Sequence, residues 1–163
     1  MDLSNDEVKR DLNQWGEWVV NELGLSGFRL DAVKHMSQSF LKEWIDRLDV
    51  TLNRQLFFVG EYWRPDLHIL GPVVEKFNGR LHLFDVALAG NMSTISHDAP
   101  SADLRTVFDG TLTKHYPEQA VVSATHPYAN HAALPPAVSP VGTKKHPHCP
   151  DGVSSLVLVT TPR

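Results

Sequence analysis

The sequence lacks several features that mark common protein classes. Cys149 is the only cysteine among 163 residues, so no intramolecular disulfide can form. No apolar run reaches the roughly 20 residues that a membrane-spanning helix needs, and no apolar signal-peptide core opens the chain. We therefore expect no membrane partner. The missing leader favours a cytoplasmic location, although a truncated N-terminus would leave the location unknown.

Positive charge is also scarce. The chain has 15 lysines and arginines against 19 aspartates and glutamates, which gives a net charge of -4, and no basic block recurs along it. Proteins that bind nucleic acid usually cluster basic residues on one face. We therefore expect no nucleic-acid partner, and the composition leaves the oligomeric state open.

Aromatic residues almost disappear after residue 121. Residues 122–163 contain one aromatic residue, Tyr128, but seven of the 11 prolines. Such a segment cannot bury enough apolar surface to offset the entropy of ordering it. We predict a folded region over residues 1–121 and an unstructured tail over 122–163, in which only residues 155–161 would form a strand, given a partner.

Histidines in this tail suggest a second interpretation, as a metal site. They are His126, His131, His146 and His148. The run of His146 to Cys149 lacks a second pair of ligands at the spacing of a zinc finger. The unstructured tail is the favoured interpretation.

The most informative stretch is residues 27–35, Gly-Phe-Arg-Leu-Asp-Ala-Val-Lys-His. Alternation over residues 28–33 predicts a strand with Arg29, Asp31 and Val33 on one face. An adjacent arginine favours the ionised form of an aspartate, which a nucleophile or an electrostatic stabiliser needs. A structural ion pair at a strand end explains the same pattern equally well.

A second strand, over residues 56–60, ends in Glu61, Tyr62 and Trp63. A predicted helix lies between the two strands, and such crossovers usually join neighbouring parallel strands. Asp31 and Glu61 are then expected at the same end of strands roughly 4.8 Å apart. Retaining glycosidases hold their two carboxyl groups about 5 to 5.5 Å apart, so this arrangement favours retention over inversion.

Residues 27–35 and Glu61-Tyr62-Trp63 resemble the alpha-amylase family of glycoside hydrolases (family 13), in the branch of the bacterial liquefying amylases. The resemblance covers residues 1 to about 121. It implies that Asp31 is the catalytic nucleophile and that Glu61 is the general acid and base.

The same resemblance implies binding roles. Arg29 accompanies the nucleophile, and Lys34 and His35 match positions that line the sugar subsites. The backbone carbonyl of His35 matches a calcium ligand, so calcium is the expected cofactor, with most of its ligands absent from this chain. Tyr62 and Trp63 offer a stacking face for a glucose ring, although a tryptophan after a strand end is as often a core residue.

The resemblance also implies a fold. A complete (β/α)8 TIM barrel takes about 250 residues, so this α/β chain is expected to hold only the central βα units of the catalytic barrel, followed by a disordered or aberrant tail. The family's third catalytic carboxylate belongs to an Asn-His-Asp motif, where this chain has Asn130-His131-Ala132. The abrupt loss of family character, together with the change in composition near residue 122, is typical of a reading-frame change or a mis-spliced gene.

Two functions follow from these observations. The first is retaining endo-hydrolysis of alpha-1,4-glucosidic bonds in starch or glycogen, with an alpha-glucan as substrate. The alternative is a catalytically inactive remnant with at most weak glucan binding. With the third carboxylate absent, the chain alone is expected to hydrolyse starch far more slowly than a complete amylase.

The remaining pattern predicts the scaffold. Helices are expected from a cap at Ser4 or Asn5 to Gly24, from a cap at Ser37 through Leu48, over residues 67–77 with an interruption or kink at Gly71-Pro72, and over residues 101–110. Further strands are expected over residues 81–86 and 119–122.

Overall fold

The computed structural model describes residues 3–98 and 101–122 and the backbone of residues 156–159. Its helices are α1 (Asp6–Leu23), α2 (Gln38–Leu52), α3 (Leu67–Lys76), α4 (Val86–His97) and α5 (Leu112–His115). Its strands are β1 (Gly27–Leu30), β2 (Phe57–Gly60), β3 (His82–Phe84), β4 (Ala120–Val121) and β5 (Leu156–Val159). Short 3-10 turns cover Val33–His35 and Leu104–Thr106. Within these ranges, none of the helices has the length and apolar character needed to cross a membrane.

The strands follow the order β4-β3-β2-β1-β5, in which β2, β3 and β4 run parallel and β5 is antiparallel to β1. The chain divides into two compact units at the junction of Phe58 and Val59, inside β2. The first unit contains α1, β1, α2, the start of β2 and also β5. The second contains the end of β2 and everything described from there to residue 122. The fold class is therefore α/β, as predicted.

In the first unit, both long helices begin where the sequence predicts, and α1 also ends there, whereas α2 continues past Leu48 to Leu52. The Asn5 side chain caps α1 by accepting from the Glu7 amide, and Gly24 ends the helix with a φ of 64°. Ser37 caps α2 by accepting from the Phe40 amide. The choice between Ser4 and Asn5 as the first cap is thus settled in favour of Asn5.

An aromatic cluster forms the core of the first unit. The Phe28 ring lies 5.7 Å from Phe58, 5.3 Å from Trp44 and 6.4 Å from Trp15, measured between ring centroids. The Trp44 indole also donates a hydrogen bond to the Leu12 carbonyl, which joins α2 to α1. Phe28 thus packs into the core from one face of β1, and Arg29 lies on the opposite face, as the alternation predicts.

Asn13 is a buried polar residue in α1, and among the described residues its Oδ1 has no hydrogen-bond partner. A buried acceptor without a partner costs about 1–3 kcal/mol, and alanine is the better helix former. Asn13→Ala should therefore change the free energy of unfolding by less than about 1 kcal/mol, although it removes buried atoms. The control is the neighbouring buried Leu12, where Leu12→Ala should cost about 2–5 kcal/mol. Urea unfolding followed by tryptophan fluorescence compares the two, and equal losses would contradict the prediction.

The predicted strand over residues 28–33 is too long. The observed β1 ends at Leu30, because Ala32 has a φ of 50° in the left-handed region, which no strand accommodates. The Val33–His35 turn follows, and Val33 is buried in it. The alternation that placed Val33 on the face of Arg29 and Asp31 therefore fails beyond Asp31.

The second unit contains parallel strand pairings. Val59 pairs with His82 between β2 and β3, and Leu83 pairs with Ala120 between β3 and β4. The helix α3 runs without interruption through Pro72, so the interruption considered there does not occur, while a kink stays a prediction. The core of this unit consists of buried aliphatic residues and one phenylalanine: Val59, Leu70, Val73, Val74, Phe77, Leu81, Leu83, Leu88 and Leu112.

The helix α4 was not predicted from the sequence, which favoured a strand up to residue 86. Its segment is rich in residues of weak helix propensity, and Leu88 is its only buried residue. Asp85 starts it by accepting hydrogen bonds from the Leu88 amide at 3.0 Å and from the amide and hydroxyl of Thr113, both at 2.8 Å. A buried carboxylate thus joins α4 to α5.

Two further expectations concern residues 101–110 and 155–161. The helix predicted over residues 101–110 is only the turn at Leu104–Thr106, whose start is capped by Asp103. The strand expected within residues 155–161 is present as β5, and its partner is β1, with Gly27 opposite Val159. Apart from Val122, the other residues of the predicted tail, including its four histidines and Asn130-His131-Ala132, lie outside the described part of the chain.

Candidate active site

Asp31 directly follows β1 and forms an ion pair with Arg29. The Arg29 Nη2 lies 3.3 Å from the Asp31 Oδ1, so the pairing predicted from their spacing is confirmed. The Arg29 side chain is 22% exposed and the Asp31 side chain 35% exposed. The Asp31 carboxylate is thus held by a cation on one side while part of it stays open to a ligand.

A turn immediately after Asp31 directs the next residues outward. Ala32 adopts the left-handed conformation, and its carbonyl accepts a hydrogen bond from the His35 amide at 2.9 Å. Lys34 and His35 are exposed, while Val33 between them is buried. Their exposure leaves a cation and an imidazole available to a polar ligand near the end of β1.

Glu61, Tyr62 and Trp63 directly follow β2. Glu61 and Tyr62 are partly exposed, and Trp63 is 41% exposed. The Arg64 amide donates to the Tyr62 carbonyl at 2.8 Å, which turns the chain sharply before α3 begins. Trp63 is therefore not a core residue, and its ring has the exposure that a stacking platform requires.

The predicted pair of carboxylates is divided between the two units. Asp31 lies in the first unit and Glu61 in the second, each at the C-terminal end of its own strand. The structure describes each unit by itself. The separation of the two carboxyl groups, about 5 to 5.5 Å for a retaining enzyme, stays a prediction.

No cluster of metal-binding side chains marks the expected calcium site in the described part of the chain. Within residues 3–98 and 101–122, no three His, Cys, Asp or Glu side chains lie close enough to hold a metal ion. Calcium takes six to eight oxygen ligands, and the His35 carbonyl as one of them stays a prediction.

A pocket in the second unit was not predicted from the sequence. It has a volume of about 520 Å³ and is lined by residues of α3 and α5: Leu67, His68, Gly71, Pro72, His115 and Tyr116. The Tyr116 hydroxyl donates to the Glu75 carboxylate at 2.8 Å, and this hydrogen bond raises the pKa of Tyr116. None of the predicted site residues lines this pocket, and no motif signals it.

The chain is similar to several alpha-amylases, and no family model matches it. It is 40% identical over 121 residues to the alpha-amylase of Geobacillus stearothermophilus, covering 74% of this chain and 22% of that protein. It is 37% identical over 121 residues to the glucan 1,4-alpha-maltohexaosidase of Bacillus sp. (strain 707), covering 74% and 23%. It is 33% identical over 135 residues to the cytoplasmic alpha-amylase of Escherichia coli (strain K12), covering 83% and 26%.

These matches confirm the resemblance first seen at residues 27–35 and at Glu61. The chain spans about a quarter of the length of the curated relatives that it matches. Since the similarity is 33% to 40% identity and extends over most of this chain, the chain belongs to the alpha-amylase family.

Proposed function

We propose that this chain contributes the two principal carboxylates of a retaining alpha-glucan hydrolase that cleaves alpha-1,4-glucosidic bonds within starch or glycogen. Asp31 attacks the anomeric carbon and forms a glycosyl-enzyme intermediate, while Glu61 protonates the leaving oxygen. Glu61 then removes a proton from water, which releases the sugar with its anomeric configuration retained.

The observation that carries this proposal is the placement of the two carboxylates within a chain of this family. Each directly follows a strand, and each is partly exposed. Partial exposure matters because a nucleophile or proton donor must reach the substrate, whereas a purely structural carboxylate is usually enclosed by its partners, as Asp85 is.

The neighbours of these carboxylates fit a carbohydrate substrate. Arg29 holds Asp31, and we assign Lys34 and His35 to hydrogen bonds with sugar hydroxyls. The partly exposed Tyr62 and exposed Trp63 offer apolar ring faces, which pack against the C–H face of a glucose ring. Calcium, if bound by the longer family barrel, would take the His35 carbonyl as one of several ligands.

The scaffold we propose is the central part of a (β/α)8 barrel. The parallel order β2-β3-β4, with helices between the strands, is the pattern of consecutive barrel units. Catalytic residues of such barrels lie at the C-terminal ends of the strands. Asp31 and Glu61 occupy those positions on β1 and β2.

A chimera tests the function. The 121 matched residues of the Geobacillus stearothermophilus alpha-amylase are replaced by their counterparts from this chain, so that both carboxylates work within a complete barrel. We expect the chimera to hydrolyse soluble starch, and proton NMR of the first product formed should show the alpha anomer. The unmodified alpha-amylase is the control.

Two results would overturn the proposal. One is a chimera that is folded by circular dichroism, binds maltose and yet releases no reducing ends. The other is a first product in the beta configuration, since that is the outcome of inversion, in which water attacks directly and no covalent intermediate forms.

A further inference from the structure

Asn78 and Gly79 form the turn that follows α3, and the proposed hydrolysis does not involve them. Asn78 is exposed with a φ of 51°, and Gly79 follows with a φ of 74°. The backbone nitrogen after an asparagine can attack the asparagine side chain, and glycine hinders this attack least because it has no Cβ. We propose that Asn78 is a site of spontaneous deamidation in the folded protein.

The reaction needs only water. The Gly79 nitrogen loses its proton and bonds to the Asn78 Cγ, while the bond from Cγ to the side-chain nitrogen breaks and ammonia leaves carrying that proton. A five-membered succinimide ring results. Water then opens the ring at Cγ to give aspartate, or at the backbone carbonyl carbon to give isoaspartate, in which the chain runs through the former side chain.

Asn53 provides a matched comparison within the same chain. It ends α2 with a φ of 50° and is also exposed. The residue that follows is Arg54, whose amide donates to the Asp49 carbonyl at 3.2 Å and whose guanidinium donates to the Leu25 carbonyl at 3.0 Å. The nitrogen that would attack the Asn53 side chain is therefore both crowded by a Cβ and held by its neighbours.

The corresponding nitrogen in the second turn is held less firmly. The Gly79 amide points to the Val74 carbonyl at 3.5 Å, which is longer than an ordinary N–H···O hydrogen bond of 2.7–3.2 Å. Deprotonation and movement of this nitrogen therefore break little existing bonding. Both asparagines adopt the left-handed conformation, but the next residue is Arg54 in one turn and Gly79, with a φ of 74°, in the other. The comparison therefore tests the effect of the residue that follows the asparagine.

The modification is expected to weaken the end of α3. Aspartate at this position places a negative charge at the C-terminus of the helix, where the helix dipole disfavours it. Isoaspartate adds one carbon to the backbone between Phe77 and Arg80, whose carbonyl and amide are hydrogen-bonded at 2.9 Å. The chain enters β3 directly after this bond, so the isoaspartyl form should unfold at a lower urea concentration.

The test is an incubation of the folded full chain at neutral and at mildly alkaline pH, followed by proteolysis and peptide mass spectrometry with chromatographic separation of the aspartyl and isoaspartyl forms. We expect the peptide with Asn78 to convert, faster at the higher pH, while the peptide with Asn53 stays unconverted. Equal conversion of both peptides would overturn the proposal, as would conversion of Asn78 only after unfolding in urea.

The variant Asn78→Gly tests the structural consequence. Glycine accepts the left-handed conformation and removes the reactive amide. Samples of this variant should keep their urea midpoint during incubation, whereas the original chain loses stability in step with isoaspartate formation. An equal fall of the urea midpoint in both chains would show that the loss of stability during incubation does not arise at the end of α3.

Discussion

Starch hydrolysis by the chimera is expected to fall about 10²–10⁴-fold when Glu61 is replaced by Gln, which is the usual contribution of a positioned general acid and base. Asp31→Asn should cost at least as much, because an amide cannot form the glycosyl-enzyme intermediate. Reducing-end release from soluble starch measures both losses. Asp46→Asn is the control, since Asp46 forms an exposed ion pair with Lys42 on α2 and should leave turnover unchanged.

Azide separates the two roles. With Asp31→Gly, azide can enter the space of the missing carboxylate and attack the sugar directly, which gives a glycosyl azide of inverted configuration. With Glu61→Ala, the covalent intermediate still forms on Asp31, and azide then gives a product of retained configuration. Rescue with the opposite pattern would exchange the two assignments, and full activity of either amide variant would remove that residue from the mechanism.

Gly27→Ala is expected to destabilise the first unit by about 3 kcal/mol or more, at the upper end of the range for overpacked sites. A Cβ on Gly27 would clash with the carbonyl oxygen of Phe57. That oxygen belongs to the backbone, so it cannot move away without shifting β2, where the Phe57 amide also donates to the Ser26 carbonyl at 3.0 Å. Urea unfolding followed by the fluorescence of Trp15 and Trp44 measures the loss.

Gly24→Ala provides the comparison in the same unit. No atom lies within 4 Å of a Cβ at Gly24, and its φ of 64° is the sole penalty. That penalty is about 1–2 kcal/mol for a left-handed residue with a side chain. If Gly27→Ala lowers the free energy of unfolding by no more than Gly24→Ala, then β1 and β2 do not approach each other this closely at Gly27.

The sequence predicts the first unit well because its signals are local and strong. The caps at Asn5 and Ser37 and the left-handed Gly24 are encoded by residues that favour those conformations on their own. The helix α4 escapes prediction because its apolar residues follow no clear period and only Leu88 is buried. Its start depends on Asp85 bonding to Thr113, 28 residues later, which no local pattern reveals.

The candidate site also has features that the sequence predicts and features that it does not. The Arg29–Asp31 contact follows from a spacing of two on a strand, so it was predictable. The exposure of Trp63 was not, because a tryptophan after a strand is as often buried, and only the turn between Tyr62 and Arg64 decides the matter. The separation of Asp31 and Glu61 depends on long-range packing and stays a prediction.

At Ala32, the residue that would best stabilise the fold differs from the residue that would best support the proposed function. An alanine in the left-handed region costs about 1–2 kcal/mol relative to an unstrained backbone, and here it directly follows the proposed nucleophile. Selection for heat resistance would favour glycine, which removes that strain. Glycine would also widen the range of orientations open to Asp31, whose carboxylate must meet an anomeric carbon within a narrow tolerance. Variants stabilised by Ala32→Gly should therefore lose turnover, whereas variants stabilised by substitutions elsewhere in the first unit should keep it.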